Sequence, residues 1–515
     1  MVPVSMPTLS PEQEALFRLI EDTREHVFVT GRAGTGKSTL LQHLAWNTHK
    51  QIAVCAPTGV AALNVEGQTI HSLFRLPIGL IADSEIEQSE PARKIMNAID
   101  TLVIDEISMV NADLMDAIDR SLRQARRRRA EPFGGVQIVM FGDPYQLSPV
   151  PPRGDELRYI QDHYRSFWFF DAQVWAGPRA DRGAIRSDGL LDLGRVGAPL
   201  HIRELRDIHR QSDPGFKAML NAVRHGIVTA EIADALNTMG ARTPPEPVDG
   251  EPPIITLATR NDIVNRINQR HLDALTGPVQ TARAEISGDF GRGDTYPAEP
   301  ELQLKVGAQV MFLRNDIAGY SGDGPRWVNG SIGTVTRIAG GSVRVELDGE
   351  EHDVEPTVWE RFRYAYDPGS RKLTRDIVAE FTQFPLRLAW AVTIHKSQGK
   401  TFDRAIVDLG SRAFAPGQTY VALSRLTSLD GLYLSRPLQP RDIIVDQRVR
   451  RFIHEVRERD AARAARDDLR DAPAASSATG SESAAQAAAP AETAAEEDSR
   501  DRIDAGFAPG GPTPF

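Results

Sequence analysis

The chain has 515 residues, which is enough for roughly three or four domains and excludes a single small fold. Apolar residues make up 41% and charged residues 25%, as is usual for a globular protein with a buried core. The sequence has no apolar run of about 18 residues, which a membrane-spanning helix needs, and no signal-peptide pattern. We therefore expect a soluble protein without a membrane partner, located in a bacterial cytoplasm or, alternatively, in a nucleus. The single cysteine, Cys55, excludes an intrachain disulfide and a cysteine-based zinc site.

The net charge of −10 is concentrated in one part of the chain. Residues 461–515 contain 18 Ala, and their five Arg are outnumbered by ten Asp and Glu, so half of the net charge lies there. Large apolar side chains are scarce in this segment, so burial cannot offset the entropy of ordering it. We expect residues 456–515 to form a disordered, acidic, Ala-rich tail, which leaves room for a basic groove elsewhere.

Short apolar runs, each followed by a polar turn, recur along the rest of the chain. They are typical of buried strands in parallel α/β sheets, and they fall into two groups. The first group comprises Val27–Thr30, Ile52–Ala56, Thr101–Ile104 and Val136–Phe141, and the second comprises Ile254–Thr259, Ala405–Leu409 and Leu432–Leu434. Residues 302–385 instead show short alternating strands, which indicate a small all-β insert. The predicted fold class is therefore α/β, with two parallel sheets and an all-β insert.

The segment Gly31–Ser38 matches the phosphate-binding pattern G-x-x-x-x-G-K-S/T and follows the first apolar strand. Glycines in this pattern let backbone N–H groups turn toward a phosphate, and the following helix offers its positive end. Lys37 would neutralise the β- and γ-phosphate charge, and Ser38 would ligate Mg²⁺. The alternative, a Gly-rich turn that only connects two elements, does not explain why a strand precedes it and a helix follows.

Two further strands of the first group end in polar residues at the same sheet edge. Asp105 and Glu106 follow one strand, where Asp105 would hold Mg²⁺ and Glu106 would orient and deprotonate the attacking water. Gln146 follows another, where its amide would sense the γ-phosphate or that water. Each residue alone is also typical of a solvated strand end or a turn. Together, in this order, they indicate an ATPase.

The second strand group carries polar motifs of its own, Thr393–Gly399 and Tyr420–Arg425. An arginine on a second lobe can reach across a cleft to stabilise γ-phosphate charge, which links hydrolysis to lobe closure. Arg425, and Arg210 in the segment Ile208–Gln211, are the candidates. The base-reading motif N-K-x-D of GTPases and the L-S-G-G-Q signature of transporter ATPases do not occur in the sequence.

With this ordered series of motifs, the chain resembles superfamily 1B DNA helicases, specifically the petite-integration-frequency (PIF) family, with RecD-type enzymes as relatives. The resemblance covers roughly residues 9–440. Its motifs in chain order are the adenine-reading Q motif at Gln13, motif I at Gly31–Ser38, motif Ia at Ala56–Ala62 with His71, motif II at Asp105 and Glu106, motif III at Gly142–Leu147, motif IV at Arg210, motif V at Thr393–Gly399 and motif VI at Tyr420–Arg425. Phe133–Gly135 resembles the signature stretch of PIF enzymes.

The resemblance implies an ATP hydrolase that moves 5′ to 3′ on single-stranded DNA and unwinds duplex or forked DNA in replication, recombination or repair. It implies ATP and Mg²⁺ as cofactors, and catalytic roles for Lys37, Asp105, Glu106, Gln146, Arg210 and Arg425. Nucleotide binding is implied for Gln13, Gly31, Gly34, Thr35, Gly36, Lys37, Ser38 and Thr39, and metal binding for Ser38 and Asp105. DNA phosphates and sugars would contact Pro57, Thr58, His71, Thr393, His395 and Lys396, without reading of base sequence.

The resemblance also implies a plan of two RecA-like lobes with two small accessories. The first lobe comprises residues 1–75 and 99–185, with a strand-splitting wedge at 76–98. The second lobe comprises 186–313 and 385–455, with a Src-homology-like barrel at 314–384. We expect a monomer, with repair or replication proteins as further partners.

Two segments and two alternative functions stay open at this point. Gly177–Leu200 lengthens the link to motif IV, either as a surface loop or as a partner site, and Arg126–Arg129 either ends a helix in solvent or contacts DNA. A RecD-like subunit of a repair complex would need partner subunits for its activity. A DNA-binding ATPase that acts as a switch would not displace a strand.

Overall fold

The computed structural model describes residues 8–458 except 78, 87–88, 177–197, 246–253, 289, 291–295, 317–325, 340, 368 and 371. Most of the predicted insertion Gly177–Leu200 lies outside the described residues. The predicted tail also lies outside them, except for its first three positions. Those positions, 456–458, belong to the last helix, so the tail was predicted to begin three residues too early.

The first half of the chain alternates strands with helices. The strands are β1 (His26–Gly31), β2 (Ile52–Ala56), β3 (Gln68–Thr69), β4 (Thr101–Ile104), β5 (Gln137–Gly142) and β6 (Leu200–Leu205). The helices are α1 (Pro11–Asp22), α2 (Lys37–Asn47), α3 (Gly59–Asn64), α4 (Ile70–Phe74), α5 (Glu90–Ala98), α6 (Ala112–Arg126), α7 (Gly154–His163) and α8 (Gln173–Ala176). The strands form one parallel sheet in the order β3-β2-β4-β5-β1-β6. We call this sheet with α1–α8 the first lobe.

The second half of the chain contains mostly strands. They are β7 (Ile255–Ala258), β8 (Gln280–Arg283), β9 (Glu285–Gly288), β10 (Glu301–Leu304), β11 (Gln309–Phe312), β12 (Ile332–Ala339), β13 (Ser342–Leu347), β14 (Glu350–Val354), β15 (Thr357–Asp367), β16 (Lys372–Gln383), β17 (Leu386–Leu388), β18 (Ala391–Thr393), β19 (Ala405–Asp408) and β20 (Leu432–Leu434). The helices are α9 (Pro214–His225), α10 (Ala230–Gly240), α11 (Asn261–Ala274), α12 (Gln418–Leu423) and α13 (residues 447–458).

A second parallel sheet has the order β18-β7-β19-β20. Helix α11 packs against β7 and β18, α10 packs against β20, and α9 packs against α12. We call this sheet with α9–α12 the second lobe. Both predicted groups of parallel strands are therefore confirmed, because the apolar runs of each group lie in one sheet.

Strands of the first sheet are buried on both faces, which explains their continuous apolar sequences. Successive side chains of a strand point to opposite faces. Val27 and Val29 accordingly share an apolar cluster with Leu44 of α2, whereas Phe28 between them belongs to a cluster that includes Ile118 of α6. Packing of helices on both faces therefore determines which side chains of β1 point to each face. The carboxyl end of β1, where polar residues follow, lies at the edge of the sheet that the strand ends form.

The insert is antiparallel, as the alternating sequence predicts. A five-stranded sheet has the order β14-β13-β12-β11-β17, and the long hairpin β15–β16 pairs with β9. The hairpin also contacts the first lobe. The hydroxyl of Tyr364 accepts a hydrogen bond from Val54 N at 3.0 Å, and Leu373 N donates to Gln51 Oε1 at 2.9 Å.

The strand pairing corrects three predicted domain boundaries. Strand β6, predicted in the second lobe, pairs in parallel with β1 at the edge of the first sheet. Strands β9, β11 and β17, also predicted there, belong to the insert, where β9 pairs with β16 and β11 pairs with both β12 and β17. The reason is that strand pairing is set by partners distant in sequence, which no local pattern specifies. The remaining boundaries, including the wedge at 76–98, stay predictions.

The arginine-rich segment after α6 has a structural role at its first residue. Arg126 donates through Nη1 to the carbonyls of Met96, Asn97 and Ile99 at 2.9 to 3.0 Å, and through Nε to Gly134 O at 2.9 Å. These contacts join the end of α6 to the end of α5. Neither prediction for the segment, a solvated end or a DNA contact, describes Arg126.

Within the described ranges, no helix is both long enough and apolar enough to cross a bilayer. The cytoplasmic location stays a prediction.

Candidate active site

A cleft of 660 Å³ opens beside the loop that joins β1 to α2, and residues 33–39 form one of its walls. Gly34 and Gly36 in this loop have φ angles of 80° and 78°, a region that residues with a side chain rarely adopt. A Cβ atom at Gly34 would lie 2.5 Å from the Cβ of Arg210, so the loop tolerates no larger residue there. The loop therefore has the curved backbone that phosphate binding requires.

Lys37 begins α2, and its ammonium group donates to the carbonyls of Gly31 at 2.7 Å and Arg32 at 3.0 Å. Burial lowers the pKa of Lys37 to about 8, although the carboxylates of Asp143 and Glu106 act in the opposite direction. A partly buried cation of this kind is stabilised by a nearby anion. The position fits a contact with the phosphates of a nucleotide.

Asp105 and Glu106 follow β4, and Glu106 lines the cleft with a left-handed backbone, φ 48°. Burial raises the pKa of both carboxyl groups, and the Glu106 charge raises that of Asp105 further. Two adjacent, partly buried carboxylates repel each other, and a divalent cation would stabilise their ionised forms. Carboxylate and hydroxyl oxygens, here from Asp105 and Ser38, are ligands that Mg²⁺ accepts together with phosphate and water. The donor set thus fits Mg²⁺.

Gln146 lines the same cleft and is held from the second lobe. Its Oε1 accepts a hydrogen bond of 3.5 Å from Gln398 Nε2. A Cβ atom at Gly417, the residue before α12, would lie only 2.3 Å from the Gln146 carbonyl oxygen. The backbones of the two lobes therefore meet directly at the predicted sensor residue.

Arg210 and Arg425 come together at the far side of the cleft. Arg210 donates through Nη1 to Ser424 O at 3.1 Å, and Arg425 donates through Nη2 to Ser424 Oγ at 2.9 Å. Burial and the neighbouring Arg210 lower the pKa of Arg425 to about 9, and burial lowers that of Arg210. Within the described part of the chain, neither guanidinium forms an ion pair. A buried cation, Arg425, and a half-buried one, Arg210, without a carboxylate partner make this wall of the cleft favourable for an anion.

Gln13, the predicted adenine-reading residue, also lines the cleft, and its amide is already hydrogen-bonded. Oε1 accepts from Ser10 N at 2.9 Å, and Nε2 donates to Gly36 O at 3.1 Å. The first contact completes the capping box of α1, and the second ties this helix to the phosphate loop. Its role toward adenine stays a prediction.

The six predicted DNA-binding residues lie outside the nucleotide cleft. Thr58 Oγ1 accepts from Ala61 N at 3.2 Å, and Thr393 Oγ1 accepts from Lys396 N at 3.3 Å. Each hydroxyl keeps a hydrogen to donate, which a phosphate oxygen can accept. His395 and Lys396 are exposed beside Thr393, Pro57 precedes Thr58, and His71 lies on α4 with Nδ1 at 3.3 Å from Leu76 O.

Comparison with known proteins decides the family. A family model described as PIF1-like helicase matches residues 8–168. The ATP-dependent DNA helicase Pif1 of Bdellovibrio bacteriovorus is 33% identical over 464 residues, which cover 88% of this chain and 93% of that protein. The chain belongs to the PIF1-like helicase family.

Two solved structures of Bacteroides sp. Pif1 resemble this PIF1-like helicase along most of its length. The complex with ADP-AlF4 has 36% sequence identity and a TM-score of 0.76, and it covers 88% of this chain and 98% of that chain. The complex with ADP-AlF3 and single-stranded DNA has the same identity and coverage, with a TM-score of 0.61. The family resemblance and the fold class predicted from the sequence are both confirmed.

Two residues of this helicase that contact the site were not assigned a role from the sequence. Tyr420 reaches the phosphate loop through its hydroxyl group, and Arg224 of α9 forms an ion pair with Asp143 of motif III. Arg224 lies one helical turn after Leu220, on the apolar face of α9 that also carries Phe216. A charged residue on an apolar helix face was the available signal, since such a residue requires a buried partner.

Proposed function

We propose that this chain, an ATP-dependent DNA helicase of the PIF1-like family, moves 5′ to 3′ along single-stranded DNA with Mg²⁺ as its metal cofactor. One observation carries the ATPase part of the proposal, and the family resemblance carries the polarity. The cleft beside the phosphate loop is closed on its other side by two guanidinium groups, the half-buried Arg210 and the buried Arg425, that have no carboxylate partner among the described residues. A triphosphate supplies the negative charge that both walls of such a cleft accept.

The hydrolytic step assigns a separate task to each side chain. Glu106 orients a water molecule toward the γ-phosphorus and accepts its proton, while the bond from phosphorus to the ADP oxygen breaks. Lys37, Arg210 and Arg425 stabilise the negative charge that develops, and Gln146 positions the water or the γ-phosphate. A magnesium ion on Asp105 and Ser38 would neutralise phosphate charge when bound.

Movement along DNA follows from the two-lobed arrangement of the cleft. Arg425 of the second lobe reaches the γ-phosphate only when the lobes are close together, so binding and hydrolysis of ATP change the distance between the lobes. Thr58 and His71 of the first lobe, and Thr393, His395 and Lys396 of the second, would hold the DNA backbone. Contacts to phosphates and sugars let one cycle advance the lobes regardless of base sequence.

We also propose that one chain is sufficient for this activity, because its own two lobes supply both walls of the cleft. Repair or replication proteins would then direct the helicase to its substrates without completing its active site. The molar mass of the protein, measured by light scattering during unwinding with no other protein added, tests this part of the proposal. A requirement for a second subunit would support the RecD-like alternative.

The direct test is strand displacement from a duplex with a single-stranded 5′ tail, compared with the same duplex carrying a 3′ tail. We expect ATP-dependent displacement of the 5′-tailed duplex only. Glu106→Gln, which keeps the size of the side chain but removes the base, should abolish displacement and DNA-stimulated ATPase activity together. Equal displacement of both duplexes would refute the polarity, and ATPase activity without displacement would indicate a switch.

A further inference from the structure

Arg224 is among the largest side chains that the structure buries completely, with a relative exposure of 1%. It lies in the last turn of α9, and α9 packs against α12 in the second lobe. The residue does not line the nucleotide cleft. Burial of an unpaired guanidinium group is energetically costly. The groups that Arg224 contacts therefore indicate its role in the structure.

The main partner of Arg224 is Asp143, the acidic residue of motif III that follows β5 in the first lobe. Nη2 lies 2.9 Å from Oδ1, and Nε lies 3.3 Å from Oδ2, which makes a two-point contact. The guanidinium carbon also lies 4.4 Å from the centre of the Tyr145 ring. On another side of this ring, His225 makes an edge contact at 4.8 Å. Two consecutive residues of α9 therefore hold the motif III loop.

Asp143 shapes the turn that carries Gln146. Its Oδ1 accepts from Tyr145 N at 3.2 Å, and its carbonyl accepts from Gln146 N at 2.9 Å. The same carboxylate that binds Arg224 thus fixes the backbone on which Gln146 faces the cleft. A displacement of Arg224 would therefore also displace Gln146, because Asp143 contacts both residues.

The charge distribution favours movement of the motif III loop together with α9. Although burial acts in the opposite direction, Arg224 and Lys37 hold the pKa of Asp143 below its usual range, so the carboxylate stays ionised. Nη1 of Arg224 has no hydrogen-bond partner among the described residues and lies 3.6 Å from Glu204 on β6. Separating α9 from Asp143 would leave charges buried without a partner, which proteins strongly disfavour.

We propose that Arg224 is a positioning residue that transmits the position of the second lobe to Gln146 through Asp143, and so couples DNA binding to ATP hydrolysis. This inference rests on the proposed function, since it concerns the DNA stimulation of that ATPase. Arg224 does not touch the nucleotide cleft and acts only through Asp143 and Tyr145.

The test separates coupling from folding with a paired variant. Arg224→Met/Asp143→Asn removes both members of this ion pair together, so neither is left buried without the other. We expect its KM for ATP and its affinity for fluorescent ADP to stay within about twofold of the wild type, while kcat with saturating single-stranded DNA falls about 10- to 100-fold. Arg224→Lys keeps the charge but loses the two-point contact, and we expect it to retain part of the stimulation.

The ion pair of Arg448 and Asp171 is a matched control. Its two hydrogen bonds measure 2.7 and 2.8 Å, and the guanidinium carbon of Arg448 lies 5.3 Å from the centre of the Phe170 ring. Arg448→Met/Asp171→Asn removes a similar pair that does not line the cleft, and it should keep DNA stimulation. Wild-type DNA stimulation of ATP hydrolysis in Arg224→Met/Asp143→Asn would overturn the inference. An equal loss of DNA stimulation in the control variant would also overturn it, as would a loss of nucleotide affinity that parallels the loss of kcat. A wild-type protein without DNA-stimulated ATPase would instead refute the proposed function.

Discussion

The hydroxyl oxygen of Tyr420 accepts a hydrogen bond of 3.2 Å from the backbone N–H of Ala33. Ala33 belongs to the phosphate loop of the first lobe, and Tyr420 lies on α12 of the second lobe, at the start of the motif that ends in Arg425. Burial raises the pKa of Tyr420 to about 12, so the phenol stays neutral. This hydrogen bond is a direct link between the nucleotide-binding loop and the lobe that supplies Arg425.

Replacement of Tyr420 by phenylalanine tests this link. Tyr420→Phe removes only the hydroxyl group, and a hydrogen bond worth about 1 kcal/mol corresponds to a roughly fivefold effect. We expect kcat for ATP with saturating single-stranded DNA to fall by about this factor, with little change in thermal stability. Tyr433→Phe alters a buried tyrosine of β20 and should leave kcat unchanged. Equal activities of the two variants would show that the contact does not matter for hydrolysis.

Arg425→Ala should separate nucleotide binding from hydrolysis. Arg425 is 2% exposed and lines the cleft opposite the phosphate loop, where its charge would be used in the transition state. Arginines in this role contribute on the order of 1,000-fold to kcat, so we expect a loss of that size with ADP binding retained. ATP turnover and fluorescent ADP titration measure the two effects, and Arg242→Ala on the exposed surface of the same lobe is the control. Loss of ADP binding would point to a role in folding instead.

Lys396→Ala should weaken single-stranded DNA binding equally for all base sequences. Lys396 is exposed beside Thr393 in motif V, and a lysine that contacts a phosphate releases a counterion when DNA binds. We expect the slope of log K against log salt to decrease in magnitude by about 0.7, the value for one contact to single-stranded DNA. Fluorescence anisotropy with two DNA sequences at several salt concentrations measures this slope. Arg18→Ala, on the exposed side of α1, should retain the wild-type slope.

His26 should make the stability of the protein depend on pH. Burial, together with His201, lowers the pKa of His26 to about 4 from its ordinary 6.5, and its Nδ1 accepts from Ile138 N at 3.0 Å. Above pH 6.5 the ring is neutral in both the folded and the unfolded chain, and its full contribution to stability is present. As the pH falls from 6.5 to 4, only the unfolded chain binds the proton, so the free energy of unfolding decreases.

Urea denaturation at pH 7 and pH 5 measures this effect. His26→Gln keeps an acceptor but does not titrate, so the difference in unfolding free energy between the two pH values should be smaller than in the wild type. His454→Gln changes an exposed histidine of α13 and should retain the wild-type difference. An unchanged pH dependence in His26→Gln would mean that other groups cause it.

Local sequence determined the two parallel sheets and much of the chemistry of the cleft. A strand buried on both faces needs a continuous apolar run, and a phosphate loop needs its glycines, Lys37 and Ser38 within eight neighbouring positions. Both requirements are met within a few residues, so Gly31–Ser38 and the pair Asp105 and Glu106 could be recognised without a structure. The order of motifs was likewise sufficient to indicate the family.

Only the tertiary structure decided which distant segments meet. Strand β6 joined the first sheet and β9 joined the insert because a strand edge accepts any partner that packing brings to it, and neither partner is encoded nearby in sequence. The links between lobes have the same origin, since 81 residues separate Arg224 from Asp143 and 387 separate Tyr420 from Ala33. A buried charge or hydroxyl must find a partner somewhere, but the sequence alone did not indicate where.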